Sequence, residues 1–205
     1  MNEPGSAGVA ARRPHPIEVR SYEILRSQVD LSSLPPLRRA VVERVIHASA
    51  DLEYAADLVT DEAHLERGLA ALRAGAPVVA DVEMVAAGIT ARRAVCRVAD
   101  PAAARLAAEE GLTRSAAGIR LACAEVGPGA VWVVGCAPTA LEEILRLDAR
   151  PALVVGLPVG FVGAAEAKRA LRDSGLPQVS NVSAKGGSAV AAAAVNALLY
   201  HGGPR

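Results

Sequence analysis

Aromatic side chains are nearly missing from this chain: one tryptophan, one phenylalanine and three tyrosines stand among 205 residues. The core must therefore be assembled from Ala, Val and Leu, and such small side chains let helices lie close on a sheet. Net charge is missing too, with 22 basic residues against 22 acidic ones. Nucleic-acid binders and membrane-surface proteins carry a basic surplus, so neither class is expected. A polyanionic ligand stays compatible if basic residues are focused at one site. Cysteine is scarce, and Cys96, Cys123 and Cys136 form an odd set without C-x-x-C spacing. That excludes a disulfide framework or a zinc site and points to a reducing, cytoplasmic compartment. No apolar core follows the charged N-terminus, so no secretory signal is expected. The longest apolar run, 189–199, holds Asn196 and is too short to span a bilayer. His15, His64 and His201 have no metal-ligand spacing and no supporting acidic cluster, so no bound metal is expected. Nucleotide fingerprints and a G-x-S-x-G elbow are likewise lacking, which disfavours a phosphate-binding protein or a serine hydrolase.

What is present reads as one α/β domain. Residues 1–13, rich in Gly, Ala, Arg and Pro without periodicity, are expected to form a disordered lead before a domain spanning 14–205. A long helical pattern begins at Pro35, with Leu37, Val41, Val45, Ala48, Leu52 and Ala55 at spacings of three and four. Asp61 caps a second helix that ends at Gly75. Strands are expected at 78–82, 94–98, 131–134, 153–155 and 178–181. Helices are expected at 101–110, from Thr113 or Ser115 to 126, and at 138–147, 164–174 and 187–199. Alternating apolar strands and helices imply a mainly parallel sheet between two helix layers, αβα, with ligands beyond the carboxyl ends of the strands.

The stretch 153–168, LVVGLPVGFVGAAEAK, is a strand, a glycine-proline loop and a helix start, which is a natural anion site. Its sister joins are GCAPTA at 135–140 and SAKGGSAV at 183–190. Together they predict a rim of free backbone N–H groups. On the long helix, Arg44, His47, Asp51 and Tyr54 are spaced three, four and three apart and share one face. An imidazole between a guanidinium and a carboxylate is suited to proton transfer near neutral pH. Arg114 sits at a helix start, where a cation is unfavourable unless an anion offsets it. Lys185 also has the placement to face an anion. Cys136, at another helix start, reads as a small packing residue.

Seven segments, taken in order, resemble the precorrin-8X methylmutases, also called cobalt-precorrin-8 methylmutases: IEVRSYEIL (17–25), ERVIHASAD (43–51), APVVADVEMVAAGIT (76–90), TRSAAG (113–118), GCAPTAL (135–141), GLPVGFVGAAEAK (156–168) and KGGSAVAAAAVNAL (185–198). The resemblance implies a flavodoxin-like homodimer that moves a methyl group from C-11 to C-12 of a polycarboxylate tetrapyrrole. It makes His47 the catalytic residue, with Ser21, Arg44 and Arg114 as substrate-binding residues. It requires no cofactor, and it implies hand-over of product to the next cobalamin-pathway enzyme. The chain departs from the family pattern at Cys136, where asparagine is usual, at Ser183-Ala184, where glycine-arginine is common, at Ala167, where serine is common, and in a shorter loop after Thr90. The runner-up expectation is a non-catalytic carrier of the corrin product.

Overall fold

The computed structural model describes residues 15–201, so the expected disordered lead lies outside the described residues. Five strands form one sheet in the order β1-β5-β4-β3-β2. They are β1 (Leu58–Val59), β2 (Val78–Ala80), β3 (Val131–Val134), β4 (Leu153–Gly156) and β5 (Gln178–Asn181). Strands β2 to β5 are parallel to their neighbours, and β1 is antiparallel to β5.

Strand residues alternate between two cores, as a pleated strand with both faces covered requires. Val78, Ala80, Val131, Val133, Leu153 and Val155 face α2 (Pro36–Ser49), α4 (Glu62–Arg73) and α10 (Ser188–Leu199). Val79, Trp132, Val134 and Val154 face α7 (Arg114–Val126), α8 (Pro138–Arg146) and α9 (Ala164–Asp173). The single tryptophan is fully buried on this second face. Helix α6 (Pro101–Glu110) packs outside α7 through Ala103, Ala107 and Ala117. The scarcity of aromatics is met by alanine packing, most of all in α10, where Val190 through Leu198 are all buried. Gly88, closing α5 (Glu83–Gly88), has the same cause: a Cβ there would lie 2.7 Å from that of Ala192.

The expected helices and strands from 101 onward lie within a residue or so of their predicted ends. Asp61 does cap α4, accepting the backbone N–H of His64. Four features differ from the sequence reading. The long helix starting after Pro35 stops at Ser49, because Ala50 turns left-handed with φ 54°. Ser49 Oγ bonds back to Val45 O and accepts the N–H of Asp51, offering the backbone a turn in place of a further helical bond. Tyr54 therefore opens a separate short helix, α3 (Tyr54–Asp57), and is itself buried. The expected strand at 94–98 reduces to one parallel bridge, Val79 to Val95. Strand β1 and helix α5 had no sequence expectation. Nor did α1 (Pro16–Gln28), which buries only Leu25 and leaves Ile17 and Ile24 exposed, so it lacks the apolar stripe that announces a helix.

Candidate active site

Helix α2 runs across the sheet beside α10, and its last two turns carry Arg44, His47 and Ala48. These residues line a cleft of about 650 Å³ together with Gly88, Thr90, Ala189, Ala192, Ala193, Asn196 and Tyr200. Its size falls in the ordinary range for small-molecule sites, about 300–1,000 Å³. One wall is the face of α10 that carries Ala189, Ala192 and Ala193, with Asn196 one turn further on.

Helix α1 supplies what the sequence reading of α2 could not. Glu18, Ser21, Tyr22 and Leu25 follow the i, i+3, i+4, i+7 spacing that gathers residues on one side of a helix. Ser21 Oγ lies 2.8 Å from His47 Nδ1. Tyr22 stacks on the imidazole, ring centres 4.9 Å apart and planes 13° apart. Arg44 Nη1 donates to Glu18 Oε1 at 2.8 Å, and its guanidinium lies 5.5 Å from the centre of the Tyr200 ring. Burial pushes the Tyr22 phenol upward, and Arg44 beside it pulls it part of the way back. The imidazole is therefore fixed in plane by a ring and in rotation by a hydroxyl. If the hydroxyl donates to Nδ1, the ring proton is on Nε2; if it accepts, Nε2 is the basic nitrogen.

The cleft floor is tied as well. Tyr200 Oη and Thr90 Oγ1 are 2.7 Å apart, and Asn196 Nδ2 donates to Gly88 O at 2.8 Å. Tyr22, Glu18, Thr90, Asn196 and Tyr200 were not singled out from sequence. The polar spacing within IEVRSYEIL was the signal that could have found the first two.

Ser21, Arg44 and His47 thus come together. Arg114 does not join them: it is exposed in the first turn of α7, in the opposite helix layer, and does not line this cleft. The start of α7 does sit at the rim, because Thr113 Oγ1 and Thr139 Oγ1, at the start of α8, are 2.7 Å apart. Asp51, expected on the face of His47, lies beyond the break at Ala50 and instead accepts from Lys185 Nζ at 2.7 Å. Glu53 accepts from the same ammonium. Lys185 is therefore neutralised by two carboxylates of the protein and does not stand as an open anion contact.

The expected rim of free N–H groups is corrected in the same way. In the 135–140 loop, Gly135, Cys136 and Ala137 all donate to the carboxylate of Asp81, at 3.1, 2.9 and 3.0 Å. Burial pushes Asp81 upward, and those three N–H groups oppose the shift. After β5, Val182 and Ser183 donate to Asp57, and Gly187 donates to Leu157 O. Two of the three anion nests are filled from within. Among the described residues, no group of three His, Cys, Asp or Glu side chains is placed to hold a metal ion. None of the described helices is long and apolar enough to cross a membrane.

The geometry is that of an open, largely apolar cleft with one oriented imidazole and one guanidinium, on an α/β domain. Comparison with known proteins gives the class a name: the precorrin-8X methylmutase family model matches residues 16–201. The cobalt-precorrin-8 methylmutase of Methanocaldococcus jannaschii is 38% identical, the match covering 89% of this chain and 91% of that one. The precorrin-8X methylmutase of a Sinorhizobium species is 42% identical over 89% of this chain and 92% of its own. A solved structure of the precorrin-8X methylmutase from Thermus thermophilus superposes with a TM-score of 0.83 at 36% identity, covering 92% of this chain and 98% of that one. The chain belongs to the precorrin-8X methylmutase family.

Proposed function

We propose that the cleft between α2 and α10 is where this isomerase of corrin synthesis works, with His47 as its catalytic residue. The reaction moves a methyl group from C-11 to C-12 of (cobalt-)precorrin-8 to give hydrogenobyrinate or cobyrinate. The C-11–methyl bond breaks as the C-12–methyl bond forms within one molecule, so no methyl donor enters. The observation that carries the reading is the hydrogen bond between Ser21 and His47, 2.8 Å long, beside a wall of alanines. A flat macrocycle needs such a wall. An oriented imidazole can then donate a proton or hydrogen bond to a ring nitrogen. That draws electron density into the ring system and lowers the barrier to a suprafacial 1,5-shift. Ser21 fixes the imidazole, and Arg44 takes a peripheral carboxylate. Arg114 contacts a further carboxylate, which requires a macrocycle reaching over the rim or a second subunit bringing its own arginine near.

Other features support the finer parts of this reading. Counting the Val95 bridge as a strand, the parallel strands run in the flavodoxin order 2-1-3-4-5, supporting a flavodoxin-like fold. Ile17, 73% exposed, and Ile24 flank Ser21 on α1, supporting a homodimer that covers them. Three unpaired cysteines support a cytoplasmic setting.

The test is His47→Ala with purified substrate under single-turnover conditions. It should still bind tetrapyrrole, seen as a shift of the visible spectrum, and lose about 10²–10⁴-fold in rate. Wild-type turnover would refute the assignment. A wild-type protein that shifts the spectrum without forming product would be a carrier.

A further inference from the structure

Lys168 is fully buried in α9, in the helix layer opposite His47. A buried ammonium is unfavourable unless each N–H finds an acceptor. Here three do: Asn181 Oδ1 at 2.8 Å, Ser183 O at 2.5 Å and Lys185 O at 2.6 Å. None is a carboxylate. They belong to the last residue of β5 and to the join that leads from it into α10. The same join is gripped a second time by Asp57, at the end of α3. Asp57 accepts from Asn181 Nδ2, from the Ser183 hydroxyl, and from the N–H groups of Val182 and Ser183. Within it, Gly186 lies so close to the carbonyls of Leu157 and Pro158 that no side chain fits there.

The join then passes this fixation on. The Lys185 ammonium, whose own carbonyl Lys168 holds, binds Asp51 and Glu53. Asp51 stands four residues after His47, and Ala189, in the opposite wall of the cleft, stands four residues after Lys185. The two walls are therefore linked at one end through a single lysine, whose backbone a second lysine clamps from beneath.

We propose that Lys168 is a positioning residue of the methyl shift: it fixes the join after β5 so that Lys185 holds the turn that follows α2, and through it the placing of His47 against the alanine wall of α10. This rests on the reading of the cleft as the reaction site. Burial pulls Lys168 down to about 8; Asp57 raises it and Arg172, on its own helix, lowers it further. The Lys185 ammonium is turned away, toward Asp51 and Glu53. A neutral amine has two N–H groups for three acceptors, so loss of the proton removes one of the clamping contacts.

The experiment compares wild type, Lys168→Met, Lys185→Met and His47→Ala, measuring kcat and KM on precorrin-8 from about pH 6 to 10, with circular dichroism as the check on folding. Each lysine variant should lower kcat at least about fivefold while KM stays within about twofold, the signature of lost alignment and not of lost binding. The wild-type kcat should fall above pH 8 or so, and that limb should be gone in a folded Lys168→Met. Wild-type kcat in Lys168→Met overturns the proposal. Should that variant not fold, Lys185→Met decides alone, since it alters a partly exposed side chain; unchanged kcat there overturns the proposal equally. If His47→Ala turns over normally, the reading of the cleft has failed, and the proposal falls with it. If His47→Ala is inactive and both lysine variants are normal, only the proposal has failed.

Discussion

Ser21→Ala removes one hydroxyl from the cleft and nothing else. The hydrogen bond it deletes joins two part-buried groups at 2.8 Å, so His47 loses the contact that Ser21 makes to Nδ1. Removing one partner of such a hydrogen bond costs about 1–3 kcal/mol. Tyr22 still stacks on the ring at 4.9 Å, so rotation of the imidazole about its Cβ–Cγ bond stays restrained. That puts the loss toward the lower half of the range, about 1–2 kcal/mol. At about 1.4 kcal/mol per tenfold, kcat should fall by roughly 5- to 30-fold. KM should hardly change, because the alanine wall and Arg44 are untouched. The folded state loses the same bond, and for a domain of this size about 1 kcal/mol moves the melting temperature by roughly 2–4 °C. Stopped-flow visible spectroscopy of precorrin-8 conversion reads the first effect and calorimetry the second. Ser21→Thr, which returns the hydroxyl, should recover most of the rate. A Ser21→Ala enzyme with wild-type kcat would show that the hydroxyl does not set the working state of His47.

Asp81→Ala strands three backbone N–H groups at Gly135, Cys136 and Ala137 and should destabilise the domain by about 1–3 kcal/mol or more, read from urea unfolding midpoints; an unchanged midpoint would mean water replaces the carboxylate without cost. Gly88→Ala places a methyl 2.7 Å from Ala192 and should cost about 1–3 kcal/mol by overpacking, with a matching drop in kcat as α5 is pushed off the cleft floor; a variant as stable and active as wild type would show that α5 shifts freely. Glu143 is buried between Arg146 and Arg120, and Arg146, opposed by burial and helped by Arg120, holds its carboxyl below the ordinary 4.5. A carboxylate lowered by folding stabilises fully above that value and loses its contribution as pH falls beneath it. Acid unfolding of wild type should therefore be steeper below pH 4.5 than that of Glu143→Gln, and parallel curves would remove Glu143 from the acid transition.

The layered fold was legible because its cause is local. Strands β3 and β4 are short apolar runs bounded by Gly and Pro, β5 follows directly on Pro177, and the helices after them start at Pro138, Gly163 and Gly187. Where the sequence misled, a distant contact decided. Helix α1 has no apolar stripe, since apart from Leu25 it meets α2 through polar contacts: Ser21 with His47 and Glu18 with Arg44. Periodicity searches look for oil and miss such a face. The apparent continuation of α2 to Ala55 failed for a different reason. Leu52 and Ala55 keep the helical spacing, but Ser49 and Asp51 both take up backbone partners and turn the chain at Ala50. Arg44 and His47 lie before that turn and kept their common face, while Asp51 and Tyr54 lie after it and lost theirs.

The glycine-rich joins make the physical limit clearest. Unpaired N–H groups at a helix start attract an anion, but the chain's own carboxylates compete for the place and need no solution concentration to do so. Asp81 stands at the end of β2, the strand next to β3 in the sheet, so it faces the Gly135 loop through register alone. Asp57 reaches the join after β5 in the same way, because β1 pairs with β5. A sequence displays the donors of such a nest at consecutive positions, whereas its occupant stands next to a neighbouring strand, about fifty residues away in one case and more than a hundred in the other. With those two nests filled, backbone N–H groups can no longer be the main hold on a polycarboxylate ring. On the proposed reading of the cleft, guanidinium groups take that part, and the join at 156–163 instead presents Val159, Phe161 and Val162 as exposed apolar side chains.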